Sequence, residues 1–170
     1  MLRKSNLEEA TQTERMNSRL NATQCMIPIV KSPKDYQAYR ISPDATNRLA
    51  IVFDPASANV SLTVCVEIFD VGGKQPPNRH QWAVEMFFIL KGEGLAYCDG
   101  KAVPIQAGDS LLVPPSGTHL IENTGSGRLY TLCIMVPNEH FAELIRSGTE
   151  VDLDEEDLAV LRRTAAPVSC

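Results

Sequence analysis

The sequence VEMFFILKGEG, residues 84–94, is an apolar run that stops at two closely spaced glycines. A short run rich in aromatic and branched side chains and bounded by glycine is typical of a β-strand leading into a tight reversal. Successive side chains of a strand point to opposite sides of the sheet, so if Glu85 faces the interior of a small antiparallel barrel, Phe87 and Ile89 face it too. We therefore expect a strand over residues 84–90 that places a carboxylate on an apolar inner face.

Strand-like runs continue on both sides of this stretch, separated by Pro, Gly, Asn and Asp. The predicted strands are residues 25–30, 35–41, 48–53, 60–71, 84–90, 94–98, 102–105, 110–113, 119–123 and 128–136. The dipeptide Asp99-Gly100 lies between two of them and favours a hairpin, because both central positions of the turn favour positive φ. Many closely spaced strands joined by such turns predict an all-β sandwich or barrel.

The run over residues 60–71 brings a second carboxylate into an apolar pattern. Alternation places Leu62, Val64, Val66 and Ile68 on one face and Thr63, Cys65, Glu67 and Phe69 on the other. Glu67 therefore points either into a polar cavity or to a solvated rim, which is the more usual place for a glutamate.

The two ends of the chain differ from its middle. The first segment is polar and forms either a helix or a loose arm, whereas residues 139–147 and 154–163 show helical spacing. Asp154 is a suitable cap for the second helix, and the acidic residues that follow it favour its first turn. The predicted organisation is an N-terminal arm or helix over residues 1–24, a β-barrel over 25–137 and a helical tail over 138–170.

Composition limits the classes of function. The 170 residues fit one domain, 44% of them are hydrophobic, and the net charge of −5 with no basic run excludes an ordinary nucleic-acid binder. No apolar run approaches the roughly 18 residues of a membrane-spanning helix, and the first twenty residues lack the apolar centre of a secretion signal. The five cysteines are widely spaced and include no C-x-x-C pair, so we expect reduced thiols and a cytoplasmic protein.

Two of the three histidines carry the most informative chemistry. His80 precedes the strand that contains Glu85, and His119 opens another predicted strand directly after the segment 114–118. Imidazole nitrogen and carboxylate oxygen bind divalent transition metals, and two His with one carboxylate form the facial set of non-haem iron sites. Spacing alone nevertheless favours the simpler interpretation that each histidine is a hydrogen-bonded structural residue.

The residues around His80 and Glu85 favour the metal-site interpretation over that of a structural histidine. The pattern G-x5-N-R-H-x4-E-x6-G over residues 72–92 resembles the first motif of the cupin superfamily. Asn78 occupies the position at which that family has His. The strand and turn over residues 84–94 are similar to the end of the same motif.

A second motif surrounds His119. The pattern G-x5-P-x2-G-T-H-x3-N over residues 108–123 resembles the second cupin motif, with Ser116 where the family usually has Gly. The fifteen residues 93–107 separate the two motifs, as in the compact microbial members. The resemblance covers residues 60–136 and implies an antiparallel double-stranded β-helix, a jelly-roll barrel, followed by one or two C-terminal helices.

The resemblance implies that His80, Glu85 and His119 bind one divalent transition metal, which would be Fe, Mn, Ni, Zn or Co. A buried glutamate beside two imidazoles also needs a cation or a proton to satisfy it. Asn78 stands where a fourth ligand would be, and it binds weakly, orients a water or contacts the substrate, unless the site has lost its metal. The residues expected to line the cavity are Glu67, Trp82, Phe87, Ile89, Ile121 and Asn123.

The superfamily resemblance implies a metal-dependent enzyme that acts on a small polar molecule. A mononuclear non-haem enzyme of the dioxygenase type ranks first because three protein ligands leave coordination positions open. A redox-neutral isomerase or lyase would instead use the metal as a Lewis acid. The alternative is a non-catalytic cupin that binds a sugar or a carboxylic acid. Because small cupins are often homodimers, we also expect a homodimer, with no nucleic-acid or membrane partner.

Overall fold

The structure of this chain is a computed structural model that describes residues 27–162. The chain separates into two units, Met1–Val30 and Lys31–Cys170. Of the first unit only residues 27–30 are described, and they are exposed and form no regular secondary structure. The first predicted strand is therefore wrong for these four residues, where Pro28 lacks the N–H that a sheet ladder needs. The predicted arm over residues 1–24 lies outside the described residues.

The described part of the second unit consists mainly of β-strands. The strands are β1 Gln37–Arg40, β2 Asn47–Phe53, β3 Thr63–Phe69, β4 Val84–Lys91, β5 Glu93–Cys98, β6 Lys101–Gln106, β7 Ser110–Val113, β8 His119–Asn123, β9 Leu129–Val136 and β10 Thr149–Val151. The helices are α1 Pro55–Ala58, α2 Phe141–Arg146 and α3 Glu155–Arg162, and a 3₁₀ turn covers Pro33–Asp35.

The strands form two antiparallel sheets. The larger sheet has the order β10-β1-β2-β3-β9-β4-β7, and the smaller has the order β6-β5-β8. Neighbours in the larger sheet are mostly distant in the sequence, which is the connectivity of a jelly roll rather than of a meander. The prediction of an all-β antiparallel jelly roll with C-terminal helices is confirmed.

Local sequence accounts for most strand boundaries. The bounds of β7 and β8 coincide with the predicted ones, while the predicted run 60–71 is shortened to Thr63–Phe69. Asp99 and Gly100 have φ values of 48° and 76°, so the predicted hairpin turn between β5 and β6 is confirmed.

The segment after Pro137, which the sequence predicts to be helical, also contributes a strand. β10 pairs with β1 at the edge of the larger sheet, with Ala38 opposite Val151. Its three residues lie between polar segments, and only pairing with β1 defines them as a strand. Of the two predicted helices, α2 is shorter than expected. Helix α3 begins one residue after its predicted cap, Asp154, whose carboxylate accepts a hydrogen bond from the backbone N–H of Asp157.

Two hydrophobic clusters stabilise this unit. The first fills the interior between the sheets and includes Phe69, Phe87, Ile89, Ile121 and Leu129. The second covers the opposite face of the larger sheet, and its members are Ala38, Ala50, Val52, Val66, Ile68 and Tyr130, with Leu153, Val160 and Leu161 packed against them. Helix α3 is therefore held against the outside of the sheet, away from the interior that the ligand-bearing strands face.

Candidate metal centre

Strands β4 and β8 present Glu85 and His119 to the interior. Exposure alternates along β4 so that Glu85, Phe87 and Ile89 are buried, as the sequence predicts. His119 is the first residue of β8 and is also buried. Its backbone exchanges two hydrogen bonds with Asn78, at 2.9 and 3.0 Å, in an isolated bridge. This bridge anchors the loop between β3 and β4, which carries His80, beside the start of β8.

Three side chains converge at this point. Glu85 Oε2 lies 2.7 Å from His119 Nε2 and 3.2 Å from His80 Nε2. The ligand-type atoms of His80, Glu85 and His119 all lie within 4.8 Å of one another. The sequence-predicted ligands, which are far apart along the chain, are therefore brought together in the fold.

The surroundings of His119 fix which of its nitrogens can bind a cation. Its Nδ1 lies 3.0 Å from the carbonyl oxygen of Gly117, an acceptor, so Nδ1 carries a proton and donates it. In the neutral ring, Nε2 then carries the lone pair that can bind a cation, and this nitrogen faces Glu85. A backbone acceptor behind a histidine is the usual way in which proteins orient an imidazole ligand.

The electrostatics of the three groups favour a positive charge between them. Burial alone would raise the pKa of Glu85, but hydrogen bonds from His119, His80 and Cys133 lower it to about 2. Burial would lower the pKa of His119, whereas its hydrogen bond with Glu85 and the Gly117 carbonyl raise it above the ordinary value. The site therefore keeps an ionised carboxylate, which attracts either a proton or a cation to His119.

The residues present fit a divalent transition metal. Ligand atoms about 2.1 Å from one ion lie about 3.0 Å apart at octahedral cis positions and about 3.4 Å apart in a tetrahedron, close to the two spacings from Glu85. Asn78 Oδ1 is buried and has no hydrogen-bond partner among residues 27–162. An orphaned amide oxygen beside two imidazoles and a carboxylate is an available fourth ligand, although a weaker one than histidine.

A cavity of about 100 Å³ adjoins these groups. Its apolar wall consists of Ile41, Leu49, Pro76, Phe141 and Leu144, and its polar lining consists of Asn47, Glu67, Gln75, Asn78, His80 and Glu85. In the described part of the chain, no Lys or Arg lines it. The volume corresponds to about three water molecules, so a ligand of a few heavy atoms fits.

The structure separates the predicted cavity-lining residues into two groups. Glu67 lines the cavity and is only 1% exposed, so it does not lie at a solvated rim. Phe87, Ile89 and Ile121 face the same interior but fill the hydrophobic core and do not line the cavity. They lie further along β4 and β8, where side chains from both sheets meet.

Asn123 and Trp82 also lie away from the cavity. The Asn123 side chain donates to the carbonyl oxygens of Asp70 and Gly127, each at 2.9 Å, and so holds the loops at the far end of β8. Trp82 is 70% exposed and its side chain does not contribute to the lining. No local pattern indicates which other residues meet Glu85, and the lining residues that the sequence does not predict are Ile41, Asn47, Leu49, Gln75, Pro76, Phe141 and Leu144.

The segment that precedes α2 holds the loop of His80 in place. The Glu139 carboxylate accepts three consecutive backbone N–H groups, from Gln81 at 3.0 Å, from Ala83 at 2.8 Å and from Trp82 between them. Two residues later, the Phe141 ring lies 6.2 Å from the His80 ring, centroid to centroid. One short segment therefore both covers the cavity and fixes the loop that carries a candidate ligand.

We expect the substitution Glu139→Gln to loosen this loop. A hydrogen bond to a charged group contributes about 1.5–3 kcal/mol, so amide hydrogen exchange at residues 81–83 should accelerate roughly tenfold or more. Glu143→Gln is the matched control, because Glu143 lies four residues further on, in α2, and its carboxylate accepts from the Asn138 side chain instead of from the loop. Equal exchange rates in the two variants would show that Glu139 does not hold the loop.

Comparisons with known proteins agree with this architecture. The profile of the Cupin domain family matches residues 65–135, which contain both motifs. An uncharacterised protein of Methanocaldococcus jannaschii is 28% identical over 109 residues, which are 64% of this chain and 87% of that protein. The oxalate-binding protein of Thermotoga maritima is 39% identical over 59 residues, which are 35% of this chain and 49% of that protein. The match thus spans about half the length of the second relative.

Solved structures show the same fold. A predicted oxalate decarboxylase from Thermotoga maritima superposes with a TM-score of 0.58 and 26% identity, covering 65% of this chain and 99% of that one. A cupin-2 domain from Rhodospirillum rubrum superposes with a TM-score of 0.54 and 20% identity, covering 82% and 88%. The family match accounts for residues 65–135, and together with the jelly roll and the two motifs it supports a small cupin domain protein. Within residues 27–162, no helix has the length and apolar character needed to cross a membrane.

Proposed function

We propose that this cupin binds one divalent transition metal through His80, Glu85 and His119, with Asn78 as a weaker fourth ligand, and that it acts on a small polar molecule in the adjoining cavity. The observation that supports the proposal is the convergence of two imidazole nitrogens and a carboxylate oxygen within 4.8 Å beside that cavity. The fold brings candidate ligand residues from distant parts of the sequence to one point, and an unpaired amide oxygen lines the same cavity. Together these atoms form the donor set of a metal centre.

A metal at this position would supply Lewis acidity and, if it is redox-active, one-electron chemistry. The chain itself supplies the positioning. Gly117 orients the His119 ring, Glu139 holds the loop of His80, and Cys133 Sγ lies 3.1 Å from Glu85 Oε1 and donates to it. The side chains of Phe141 and Leu144 on α2 give the cavity an apolar wall, and apolar surroundings strengthen the electrostatic interactions inside it. We rank a dioxygenase-type reaction first and a redox-neutral isomerase or lyase reaction second.

Metal analysis of protein purified without chelator tests the proposal. We expect near one equivalent of Fe, Mn, Ni, Zn or Co per chain, and removal of the metal should abolish ligand binding in the cavity. Protein stripped of metal that still binds its small-molecule ligand with unchanged affinity would contradict the proposal, because the cavity would then work without the centre.

A non-catalytic binding protein is the second candidate. Two observations favour it: the amide of Asn78 stands where a stronger ligand would be, and the Thermotoga maritima relative is an oxalate-binding protein. Titration with oxalate, catechols, thiols and keto acids, followed by oxygen uptake and product analysis, separates the two candidates. Binding of a compound that is never consumed would identify a binding protein, whereas turnover would identify an enzyme.

We also propose a homodimer. Exposed apolar side chains form one patch across three neighbouring strands, and its members are Val84, Met86, Phe88, Leu112 and Val136. Contiguous apolar patches of this kind mark interaction surfaces. Sedimentation velocity at low concentration tests this, and a monomer would contradict it. The cytoplasmic location stays a prediction.

A further inference from the structure

Glu67 is a buried acid that does not belong to the candidate metal ligands. It lies on β3 with its side chain on the inner face, is 1% exposed, and lines the cavity together with His80 and Glu85. A carboxyl group in the interior is unfavourable unless something in the fold or a ligand satisfies it. The lining of this one cavity therefore contains both candidate metal ligands and a separate acid.

The partners of Glu67 are neutral amides. Asn47 Nδ2 donates to Oε1, and Gln75 Nε2 donates to Oε2 at 2.6 Å. The backbone N–H of Ile121 donates to Gln75 Oε1 at 2.8 Å, which determines that the NH₂ group of Gln75 faces Glu67. These donors orient the carboxyl group but cannot neutralise a negative charge. Each carboxylate oxygen can accept a second hydrogen bond, so acceptor capacity remains.

The charged and titratable groups that face Glu67 do not satisfy it either. They are Glu85 on β4, His119 on β8, His80 on the adjoining loop, and the thiols Cys65 and Cys133 on β3 and β9. Burial, together with the Glu85 charge, raises the pKa of Glu67 to about 8, although the amide donors oppose the change. A structural role alone would be filled equally well by an uncharged residue, which suggests that the acid serves a ligand.

This arrangement defines what the cavity accepts. A ligand that contacts both the metal and Glu67 needs an anionic oxygen for the metal and a hydrogen-bond donor for Glu67, and it must fit about 100 Å³. We propose that Glu67 makes the cavity selective for small hydroxy acids over carboxylates that lack a hydroxyl group. The inference rests on the proposed metal centre and adds to it the class of ligand.

Matched pairs of acids test this inference. The probes are glycolate with acetate and 3-hydroxypropionate with propionate, titrated calorimetrically into zinc-loaded protein at about pH 9, above the raised pKa of Glu67, so that its carboxyl group is ionised. Each pair differs by one hydroxyl group, so the ratio of the two affinities cancels the contribution of the carboxylate on the metal. We expect Glu67→Gln to reduce this ratio roughly tenfold or more for at least one pair, since a hydrogen bond to a charged group contributes about 1.5–3 kcal/mol.

Glu122→Gln is the matched control, because Glu122 lies on β8 but accepts from the Tyr97 hydroxyl and does not line the cavity. Its affinity ratios should equal those of the unaltered protein. The metal content of each protein is measured first. Unchanged ratios in zinc-loaded Glu67→Gln would overturn this inference alone, whereas an unaltered protein that binds no metal would overturn the proposed function as well.

The unaltered protein provides a second measurement in case the variant does not fold. Glu67 accepts a hydrogen bond best when ionised, so the ratio for a hydroxy acid should increase as the pH rises through the pKa of Glu67, which burial raises. A ratio that does not change with pH in any pair would overturn the inference without any substitution.

Discussion

The substitution His119→Ala should abolish metal binding. Loss of one of three strong ligands leaves Glu85, His80 and the weak amide of Asn78. Substitution of groups that only support ligands already reduces metal affinity about ten- to a hundredfold. We therefore expect the loss of a ligand itself to exceed about a hundredfold, so that metal is absent after dialysis. Elemental analysis and competition with a chromophoric chelator measure the effect.

The chain offers a control with the same chemical change. His140 is exposed and lies at the start of α2, and its side chain makes no capping hydrogen bond. His140→Ala should keep near one equivalent of metal and the stability of the unaltered protein. Metal retained by His119→Ala with unchanged affinity would mean that the ion lies elsewhere.

The pH dependence of stability separates a metal ligand from a structural histidine. The pKa of Glu85 is lowered to about 2, so its contribution is present above its ordinary value of 4.5 and is lost as the pH falls toward 2. The pKa of His119 is raised, so its contribution is full below 6.5 and is lost as the pH rises through the folded value. Without metal, the pair therefore stabilises most between 4.5 and 6.5. Added zinc replaces the proton, so its stabilising effect should grow above that window.

The candidate ligands could be predicted from the sequence because the motifs around them resemble those of the cupin superfamily, whereas their spacing alone favoured structural histidines. Strand alternation places Glu85 on the inner face of β4, and the segment rich in Pro and Gly before β8 places His119 at the first inward position. The position of His80 follows from the backbone bridge between Asn78 and His119. Strand alternation does not show this position, and only the resemblance of the motifs implies that His80 is a ligand.

The walls of the cavity could not be predicted in the same way. Alternation correctly puts Phe87 on the same face as Glu85, but it does not show how far along the strand the cavity extends. Phe141 and Leu144 belong to a helix whose own periodicity does not indicate which interior it covers. Glu67 shows the same limit, because its burial depends on Asn47 and Gln75 from other elements.

The largest effect on stability should come from a site remote from the cavity. Arg48 on β2 contacts Asp157 on α3, with Nη2 2.7 Å from both carboxylate oxygens, and the two side chains are 6% and 0% exposed. This pair connects the helix to the outer face of the larger sheet. Arg48→Met should reduce the free energy of unfolding by about 3 kcal/mol, because removing one partner leaves a buried charge. Urea denaturation measures the change.

Lys91→Met is the matched control for this pair. Lys91 contacts Glu156 on the same helix at 2.9 Å, but the two side chains are 47% and 46% exposed. Water and salt screen an exposed pair, so its loss should change the free energy of unfolding by less than about 1 kcal/mol. If both substitutions had equal effects, burial would not be what makes Arg48 important.

Removing both charges should be less harmful than removing one. In the Arg48→Met variant Asp157 keeps the Tyr130 hydroxyl at 3.0 Å and Arg128 at 3.2 Å, which cannot replace the lost guanidinium contacts. The double substitution of Arg48→Met with Asp157→Leu removes the buried carboxylate as well, and we expect it to recover about half or more of the lost stability. The cost of the single change then lies in a buried carboxylate that Arg128 and Tyr130 compensate only in part, since the apolar cluster around Tyr130 can hold α3 against the sheet without the contact to Arg48.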